Sequence, residues 1–355
     1  MKQGKLKVDF TLAQVTKLFP LRISRGLSSG SLNLFVHVTD GEFTGIGECA
    51  PGTGFDQTLA DLALSQLKAL FEHDLSSLSL VETVALAVEN GIDSAAVAAL
   101  DIALWDLLGQ RAGLPLYKLF GLAKPTVPTS TTMGIETPEV IRDRVPKLME
   151  HNHGRALKIK LGNKEGGIEA DKAGFEAARE ASMPWKPLLR VDANGGWSPE
   201  DAIKMNKWLA ERGCDYVEQP LAAGMEAEMP AVFKARKLPI FLDESIRVAK
   251  DVARFGDRCD GVNLKLMKTG GLTEALRLVA VARAHGLSTM IGCMGESSVA
   301  IGAGAHIGAL FDHIDLDSHL NLLPDPAIGL SMENGVVTPS GAPGLGVRLI
   351  ADARP

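Results

Sequence analysis

The middle of the chain repeats one pattern, a short apolar run that ends in a charged side chain. The charged ends of five such runs follow one another at steps of 25 to 32 residues, at Lys160, Asp192, Glu218, Asp243 and Lys268. That step fits one strand, one helix and their loops in a (β/α)8 barrel of about 250 residues. Continuous apolar runs are typical of parallel strands buried on both faces. The charges are therefore predicted at the carboxyl ends of the strands, on the face where barrels carry their active sites.

Further strands and helices complete this predicted ring. A first strand is predicted over 127–133, a seventh over 288–293 and a short eighth over 314–317. Helical spacing of apolar residues predicts helices over 273–284 and 298–310. Eight strand positions are then filled, and the fold class is α/β with a (β/α)8-type barrel.

The first third of the chain follows a different pattern. Strands are predicted over 8–15, 32–38 and 42–46, the last two joined at Asp40-Gly41, and helices over 58–71 and 94–112. The small residues within 19–30 predict a mobile loop between the first two strands. We therefore predict an α+β domain at 1–124, a barrel at 125–320, and a tail at 321–355 that returns to the first domain.

Composition narrows the class of function. A net charge of −6 gives no basic surface for nucleic acid. Four scattered cysteines without a Cys-x-x-Cys pair argue against a disulfide framework and favour a reducing cytoplasm. The most apolar stretches are too short to span a bilayer, so no membrane partner is expected. The composition leaves the oligomeric state open, and a homo-oligomer is one alternative.

Three of the predicted strand ends are carboxylates. Asp192, Glu218 and Asp243 end consecutive runs, so their side chains should converge on one rim of the barrel. Like charges this close repel unless a cation neutralises them, and oxygen ligands without His or Cys suit Mg²⁺. A single acid at a strand end would be read as a solvated or ion-paired loop residue. Three in succession predict a Mg²⁺ site.

Two lysines end strands on either side of these acids. Lys160 on the second strand and Lys268 on the sixth are nearly opposite in a ring of eight. A lysine beside a metal and another cation, such as Lys158 beside Lys160, has a disfavoured ammonium form and can act as a base. Two such bases facing each other can remove a proton from one face of a carbon and return one to the other face. A solvated surface chain is the alternative for either lysine alone.

Five ordered motifs carry a resemblance to a known family. Lys158-x-Lys160, Asp192-Ala193-Asn194, Glu218-Gln219-Pro220, Asp243-Glu244-Ser245 and Asn263-x-Lys265-x-x-Lys268 resemble the enolase superfamily, in its muconate-lactonizing subgroup. The resemblance spans nearly the whole chain. It implies a modified TIM barrel capped by the N-terminal domain, and a lysine base acting beside Mg²⁺ that stabilises an enolate.

A later motif selects a reaction within that subgroup. In Asp315-Leu316-Asp317 the two acids lie on one side of the eighth strand and outside the metal set, so a substrate ammonium is a natural partner. The motif resembles that of dipeptide epimerases, which invert the α-carbon of the C-terminal residue. That resemblance implies that Lys160 serves the L face and Lys268 the D face, and that Thr132 touches substrate. An exposed pair of acids is the alternative.

The predicted side-chain specificity depends on the first loop. The segment around Arg25 resembles epimerases that act on L-Ala-D/L-Glu from murein peptides, in which the arginine meets an acidic side chain, although a solvated loop arginine is also reasonable. Rival activities within the subgroup are N-acylamino acid racemase, o-succinylbenzoate synthase and cycloisomerase, whose substrates lack a free α-ammonium. A barrel that binds metal without catalysis is the alternative of another class.

Overall fold

A computed structural model describes residues 6–52 and 54–350 of the chain. Within this part, a three-stranded antiparallel sheet precedes an eight-stranded parallel sheet. The end of the tail, 351–355, lies outside the described residues.

The antiparallel sheet consists of β1 (Lys7–Ile23), β2 (Gly26–Thr39) and β3 (Thr44–Cys49). The predicted mobile loop over 19–30 is wrong, because β1 and β2 run on through it as a hairpin that pairs Ile23 with Gly26. One of its small residues, Gly30, serves close packing. A Cβ at Gly30 would lie 2.3 Å from the carbonyl oxygen of Val15.

Four helices follow the sheet: α1 (Gln57–Leu70), α2 (Leu80–Glu89), α3 (Ser94–Ala112) and the one-turn α4 (Leu116–Leu119). Of these, α1 and α3 pack on the sheet, whereas α2 and α4 pack on α3. We call residues 7–119 the N-terminal unit. Most of α3 is buried, and its backbone packs against β3, where a Cβ at Gly47 would lie 1.9 Å from the carbonyl oxygen of Ala99. The sequence analysis missed α2, which begins with a reciprocal capping box between Ser79 and Glu82.

The barrel strands follow in chain order around the ring. They are β4 (Ser130–Met133), β5 (Ala156–Lys160), β6 (Leu188–Asp192), β7 (Cys214–Glu218), β8 (Ile240–Leu242), β9 (Gly261–Lys265), β10 (Ser288–Gly292) and β11 (His313–Asp315). A bridge between Thr129 and Ile314 brings the first and last strands together. The ring is thus nearly closed, and the predicted barrel with an N-terminal α+β unit is confirmed.

The barrel helices are α5 (Pro138–His151), α6 (Gly167–Ser182), α7 (Pro199–Ala210), α8 (Met229–Ala235), α9 (Ala249–Phe255), α10 (Leu266–Thr269), α11 (Leu272–Ala284) and α12 (Ser298–His306). Across the described ranges, no helix combines the length and the apolar character that crossing a membrane requires.

Two predicted strand ends are corrected by the structure. β9 ends at Lys265, and Lys268 lies in the helical turn α10 rather than on a strand. β11 ends at Asp315, so Asp317 lies just beyond the strand. In both places the backbone turns directly after the buried apolar run, which leaves the charged residue near the same rim.

The tail forms two small ribbons, β12 (Ala327–Ile328) with β15 (Arg348–Leu349), and β13 (Leu330–Glu333) with β14 (Val336–Pro339). It contacts the N-terminal unit, because the amide of Leu345 donates to Asp106 Oδ1 at 2.7 Å. It also contacts the barrel, because the amide of Thr129 donates to the carbonyl of Gly335. The domain limits at 124 and 320 stay a prediction.

Candidate active site

Three buried carboxylates form the centre of the site. The register of the parallel strands aligns Lys160, Asp192 and Glu218 on neighbouring strands, and Asp243 follows β8 directly. The side chains of the three acids are fully buried. One oxygen from each acid lies within 4.8 Å of the others. The predicted convergence at one rim is therefore what the structure has.

This group of oxygen atoms fits a hard divalent cation. Carboxylates are the ligands that Mg²⁺ takes in proteins, and the set contains no His or Cys. Neighbouring donors orient two of the acids: the amide of Asn194 donates to Asp192 Oδ1 at 2.7 Å, and Asn263 Nδ2 donates to Glu218 Oε1 at 2.8 Å. These bonds fix the carboxylate planes before any cation binds.

The two predicted bases lie on opposite flanks of the acids. Lys160 Nζ is 2.6 Å from Asp192 Oδ2. Lys268 Nζ donates to Asp243 Oδ1 and to the carbonyl oxygen of the same residue, the latter at 2.5 Å. Since β6, β7 and β8 separate β5 from β9, the acids lie between the two amines.

Burial and neighbouring charges shift the pKa values of these groups. Burial lowers the pKa of Lys268 below its usual value, against the attraction of Asp243. Burial, with repulsion from Asp192, raises the pKa of Glu218 to about 8. For Asp243 the ammonium groups of Lys265 and Lys268 outweigh burial, so its pKa lies well below the usual range.

Two more lysines complete the charge balance. Lys158 Nζ lies 2.6 Å from Glu218 Oε2 and 3.8 Å from Asp192 Oδ2. Burial disfavours its ammonium form, but Asp315 and Glu218 outweigh this and hold the pKa of Lys158 well above its usual value. Lys265 Nζ lies 2.9 Å from Asp243 Oδ2. Sequence reasoning did not include Lys265 among the site residues, although strand alternation aligns it with Asn263 on the inner face.

The predicted acid pair lines a small cavity beside one of the bases. This cavity, of about 60 Å³, is lined by Thr132, Lys160, Asp315 and Asp317 among others. The backbone amide of Thr132 donates to Asp317 Oδ2 at 2.7 Å. Burial, with repulsion from Asp315, raises the pKa of Asp317 to about 6. Asp315 and Asp317 therefore line the same cavity as Lys160.

Arg25 occupies the tip of the β1–β2 hairpin, above the barrel rim. Its Nη1 lies 2.5 Å from Glu244 Oε1 and 3.1 Å from the carbonyl oxygen of Asn194, to which Ser24 Oγ also donates at 2.8 Å. The hairpin tip is thus bound to residues that adjoin Asp192 and Asp243. The charge of Arg25 is already paired within the protein, with a partner, Glu244, that sequence reasoning had not assigned to the site.

Family models match both parts of the chain. Residues 7–121 match the N-terminal domain of mandelate racemase and muconate lactonizing enzyme, and residues 141–353 match the enolase C-terminal domain-like family. The chain is 54% identical over 341 residues to a hydrophobic dipeptide epimerase of Roseobacter litoralis, covering 96% of this chain and 98% of the relative.

Solved structures of similar proteins share the whole fold. A dipeptide epimerase from Cytophaga hutchinsonii, complexed with Mg and D-Ala-L-Val, matches with a TM-score of 0.89 and 27% identity, covering 98% of this chain and 97% of that one. A dipeptide epimerase from Enterococcus faecalis, complexed with Mg and L-Leu-L-Tyr, matches with a TM-score of 0.86 and 32% identity, covering 98% and 99%. The resemblance in the motifs is confirmed: the chain belongs to the enolase superfamily, in the branch of mandelate racemase and muconate lactonizing enzyme, among relatives that are dipeptide epimerases.

Proposed function

We propose that this chain is a Mg²⁺-dependent dipeptide epimerase that inverts the α-carbon of the C-terminal residue, with a preference for hydrophobic dipeptides. The observation that carries the proposal is the arrangement of Asp192, Glu218 and Asp243 between the amines of Lys160 and Lys268. A carbon held over the acids would have one amine on each side. That is the geometry a proton transfer from face to face requires.

Asp192, Glu218 and Asp243 would hold Mg²⁺, which when bound supplies positive charge that stabilises the negative charge developing on the substrate carboxylate. Lys160 takes or returns the α-proton on one face and Lys268 does so on the other. Burial lowers the pKa of Lys268 against the attraction of Asp243, and a lower pKa reduces the cost of forming the neutral amine that a base requires. The same two residues exchange roles in the reverse direction.

The cavity beside Lys160 supports a substrate with a free α-ammonium. Asp315 and Asp317 line it together. Lys158 neutralises Asp315, and the second carboxylate, Asp317, would bind a substrate ammonium group. N-acylamino acids and the substrates of o-succinylbenzoate synthase and cycloisomerase lack that group. A dipeptide with a free N-terminus therefore fits this cavity better than these alternatives.

The preference for hydrophobic side chains rests on Arg25 and on the similar proteins. Because Arg25 pairs with Glu244 at 2.5 Å, an acidic substrate side chain would have to compete with that carboxylate for the guanidinium. The Roseobacter litoralis relative is a hydrophobic dipeptide epimerase. Both observations favour hydrophobic dipeptides over the Ala-Glu substrates that the hairpin sequence had suggested.

Deuterium incorporation tests the proposal directly. The protein with Mg²⁺ in D₂O would be incubated with L-Ala-L-Leu, L-Leu-L-Tyr, L-Ala-L-Glu and N-acetyl-L-leucine, and each product examined by mass spectrometry and chiral chromatography. We expect exchange and epimerisation at the C-terminal residue, faster for L-Ala-L-Leu and L-Leu-L-Tyr, and none after chelation of Mg²⁺. Exchange with the N-acetyl compound alone would contradict the dipeptide proposal, and a faster reaction with L-Ala-L-Glu would contradict the hydrophobic preference.

A further inference from the structure

The two bases are supported from different parts of the protein. Lys268 lies in the turn α10, whose end is formed by Gly270 and Gly271, both at positive φ. These glycines form an elbow between α10 and α11. The neighbour of that elbow is helix α3 of the N-terminal unit, because Val97 Cγ1 would lie 3.3 Å from a Cβ at Gly270.

Asp101 of α3 makes the central contact with this elbow. It accepts hydrogen bonds from the amide of Thr273 at 3.0 Å and from its hydroxyl at 2.5 Å. The helix α11 begins after Gly271, which has no side chain to cap it, so a carboxylate from another part of the chain satisfies the first-turn amide. Trp105, which like Asp101 lies in α3, donates to Thr273 Oγ1 at 3.0 Å.

The approach is too close for any other residue at the elbow. A Cβ at Gly271 would lie 2.3 Å from Asp101 Oδ2, and its φ of +106° is a conformation that L side chains rarely adopt. A second contact holds the other side of the turn, where the amide of Ala50 donates to Met267 Sδ at 3.3 Å. The turn bearing Lys268 is thus held on both sides by the N-terminal unit.

The turn after Lys160 has its buried carboxylate from within the barrel. Asp171 of α6 accepts from the amide of Gly162 at 3.0 Å and from that of Asn163 at 3.0 Å. Trp197 Nε1 donates to the same carboxylate at 2.7 Å. Asp101 and Asp171 are both buried, and each accepts backbone amides just beyond one of the two lysines.

We propose that Asp101 is a positioning residue for Lys268, so that a carboxylate of the N-terminal unit sets the placement of one base, whereas Asp171, a carboxylate of the barrel, has that part for the other. This inference rests on the proposed function, because its test by activity compares two half-reactions: removal of the α-proton by Lys268 and removal of the α-proton by Lys160. A role limited to overall stability would weaken both half-reactions together. A positioning role weakens the half-reaction of Lys268 alone.

The test compares Asp101→Asn with its matched counterpart Asp171→Asn. Loss of α-hydrogen into D₂O is measured separately from each epimer of L-Ala-Leu with Mg²⁺, and Lys160→Ala and Lys268→Ala identify which epimer each lysine serves. We expect Asp101→Asn to slow the half-reaction of Lys268 by about tenfold to 100-fold and the other by less than about threefold. Asp171→Asn should show the opposite pattern, with the larger loss in the half-reaction of Lys160. Equal losses in both half-reactions of Asp101→Asn, or no loss in either, would overturn the inference.

A readout independent of activity accompanies this comparison. In Asp101→Asn, amide hydrogen exchange measured by mass spectrometry should become faster over 266–273 and stay unchanged over 156–163. Unchanged exchange over 266–273 would overturn the inference. If the wild-type protein exchanged the α-hydrogen of no dipeptide, the proposed function would fail. Amide hydrogen exchange over 266–273 would still show whether Asp101 holds the turn that bears Lys268.

Thr273 provides a milder pair of variants should Asp101→Asn fold poorly. Thr273→Val keeps the shape of the side chain but removes the hydroxyl that joins Asp101 and Trp105, whereas Thr273→Ser keeps the hydroxyl. We expect Thr273→Val to slow the half-reaction of Lys268 selectively, and Thr273→Ser to restore the rate to within about twofold of wild type. Equal rates in the two variants would contradict the inference.

Discussion

The ammonium group of Lys158 lies 2.5 Å from Asp315 Oδ2, with both residues buried at the barrel centre. The same ammonium lies 2.6 Å from Glu218 Oε2. Lys158 therefore links two acids of the proposed metal site, Glu218 and Asp192, to Asp315 of the proposed ammonium site. A single buried cation limits the repulsion among carboxylates in both places.

Replacement of this cation should destabilise the protein. In Lys158→Met the buried carboxylates of Glu218 and Asp315 lose their shared partner, so we expect the free energy of unfolding without Mg²⁺ to fall by about 3 to 5 kcal/mol. Urea unfolding with and without Mg²⁺ measures this, and added Mg²⁺ should recover part of the loss. Lys147→Met, which removes an exposed ion pair with Asp143, is the control and should leave stability unchanged. A Lys158→Met protein as stable as wild type would contradict this interpretation.

The two bases should be separable by mutation. Because Lys160 and Lys268 contact different acids on opposite flanks, each alanine variant should lose exchange of the α-proton of one epimer. We expect a loss of at least about 100-fold for that epimer in each case. Isotope exchange followed by mass spectrometry from pure L,L and L,D dipeptides measures it. Exchange of both epimers at wild-type rates in either variant would rule out a scheme with two bases.

The ion pair between Arg25 and Glu244 predicts how specificity should respond to mutation. If Arg25 serves to hold the hairpin tip against the barrel, Arg25→Met should reduce kcat/KM for L-Ala-L-Leu and L-Ala-L-Glu by similar factors. Glu244→Gln should release the guanidinium and raise the relative rate with L-Ala-L-Glu. A loss confined to L-Ala-L-Glu in Arg25→Met would instead show that the arginine reads an acidic side chain.

The sequence was sufficient to predict the elements that depend on local pattern. Apolar runs ending in charges predicted the parallel strands, and the acids converge because neighbouring strands end at one rim of the ring. The five motifs also predicted the family correctly.

Features that depend on contacts between distant segments were not predictable. Lys268 lies in a helical turn whose neighbours Met267 and Gly271 pack against the N-terminal unit, contacts that no local pattern reveals. The hairpin over 19–30 was mistaken for a mobile loop because its small residues resemble a linker, whereas they allow Gly30 to approach Val15. The pairing of Arg25 with Glu244 likewise joins the tip of a hairpin to a barrel loop far along the chain.

Acid should weaken the junction at which α12, the N-terminal unit and the tail meet. His306 is fully buried there, and its Nδ1 accepts from the amide of Tyr117 at 3.2 Å. Its Nε2 therefore carries the proton and donates to the carbonyl of Leu345 at 3.0 Å. Protonation of Nδ1 would set two donors against each other, and burial already lowers the pKa of His306 from 6.5 to about 4.

The direction of this pH effect follows from the two states. As the pH falls from 6.5 towards 4, the unfolded chain binds a proton that the folded chain refuses, so stability is lost across that window. The neutral His306 contributes up to about 3 kcal/mol to the free energy of unfolding, and this contribution is fully present above pH 6.5. Urea unfolding from pH 4 to 7.5 should show a smaller fall in stability for His306→Gln than for wild type. Parallel curves for the two proteins would mean that this imidazole is not held neutral in the fold.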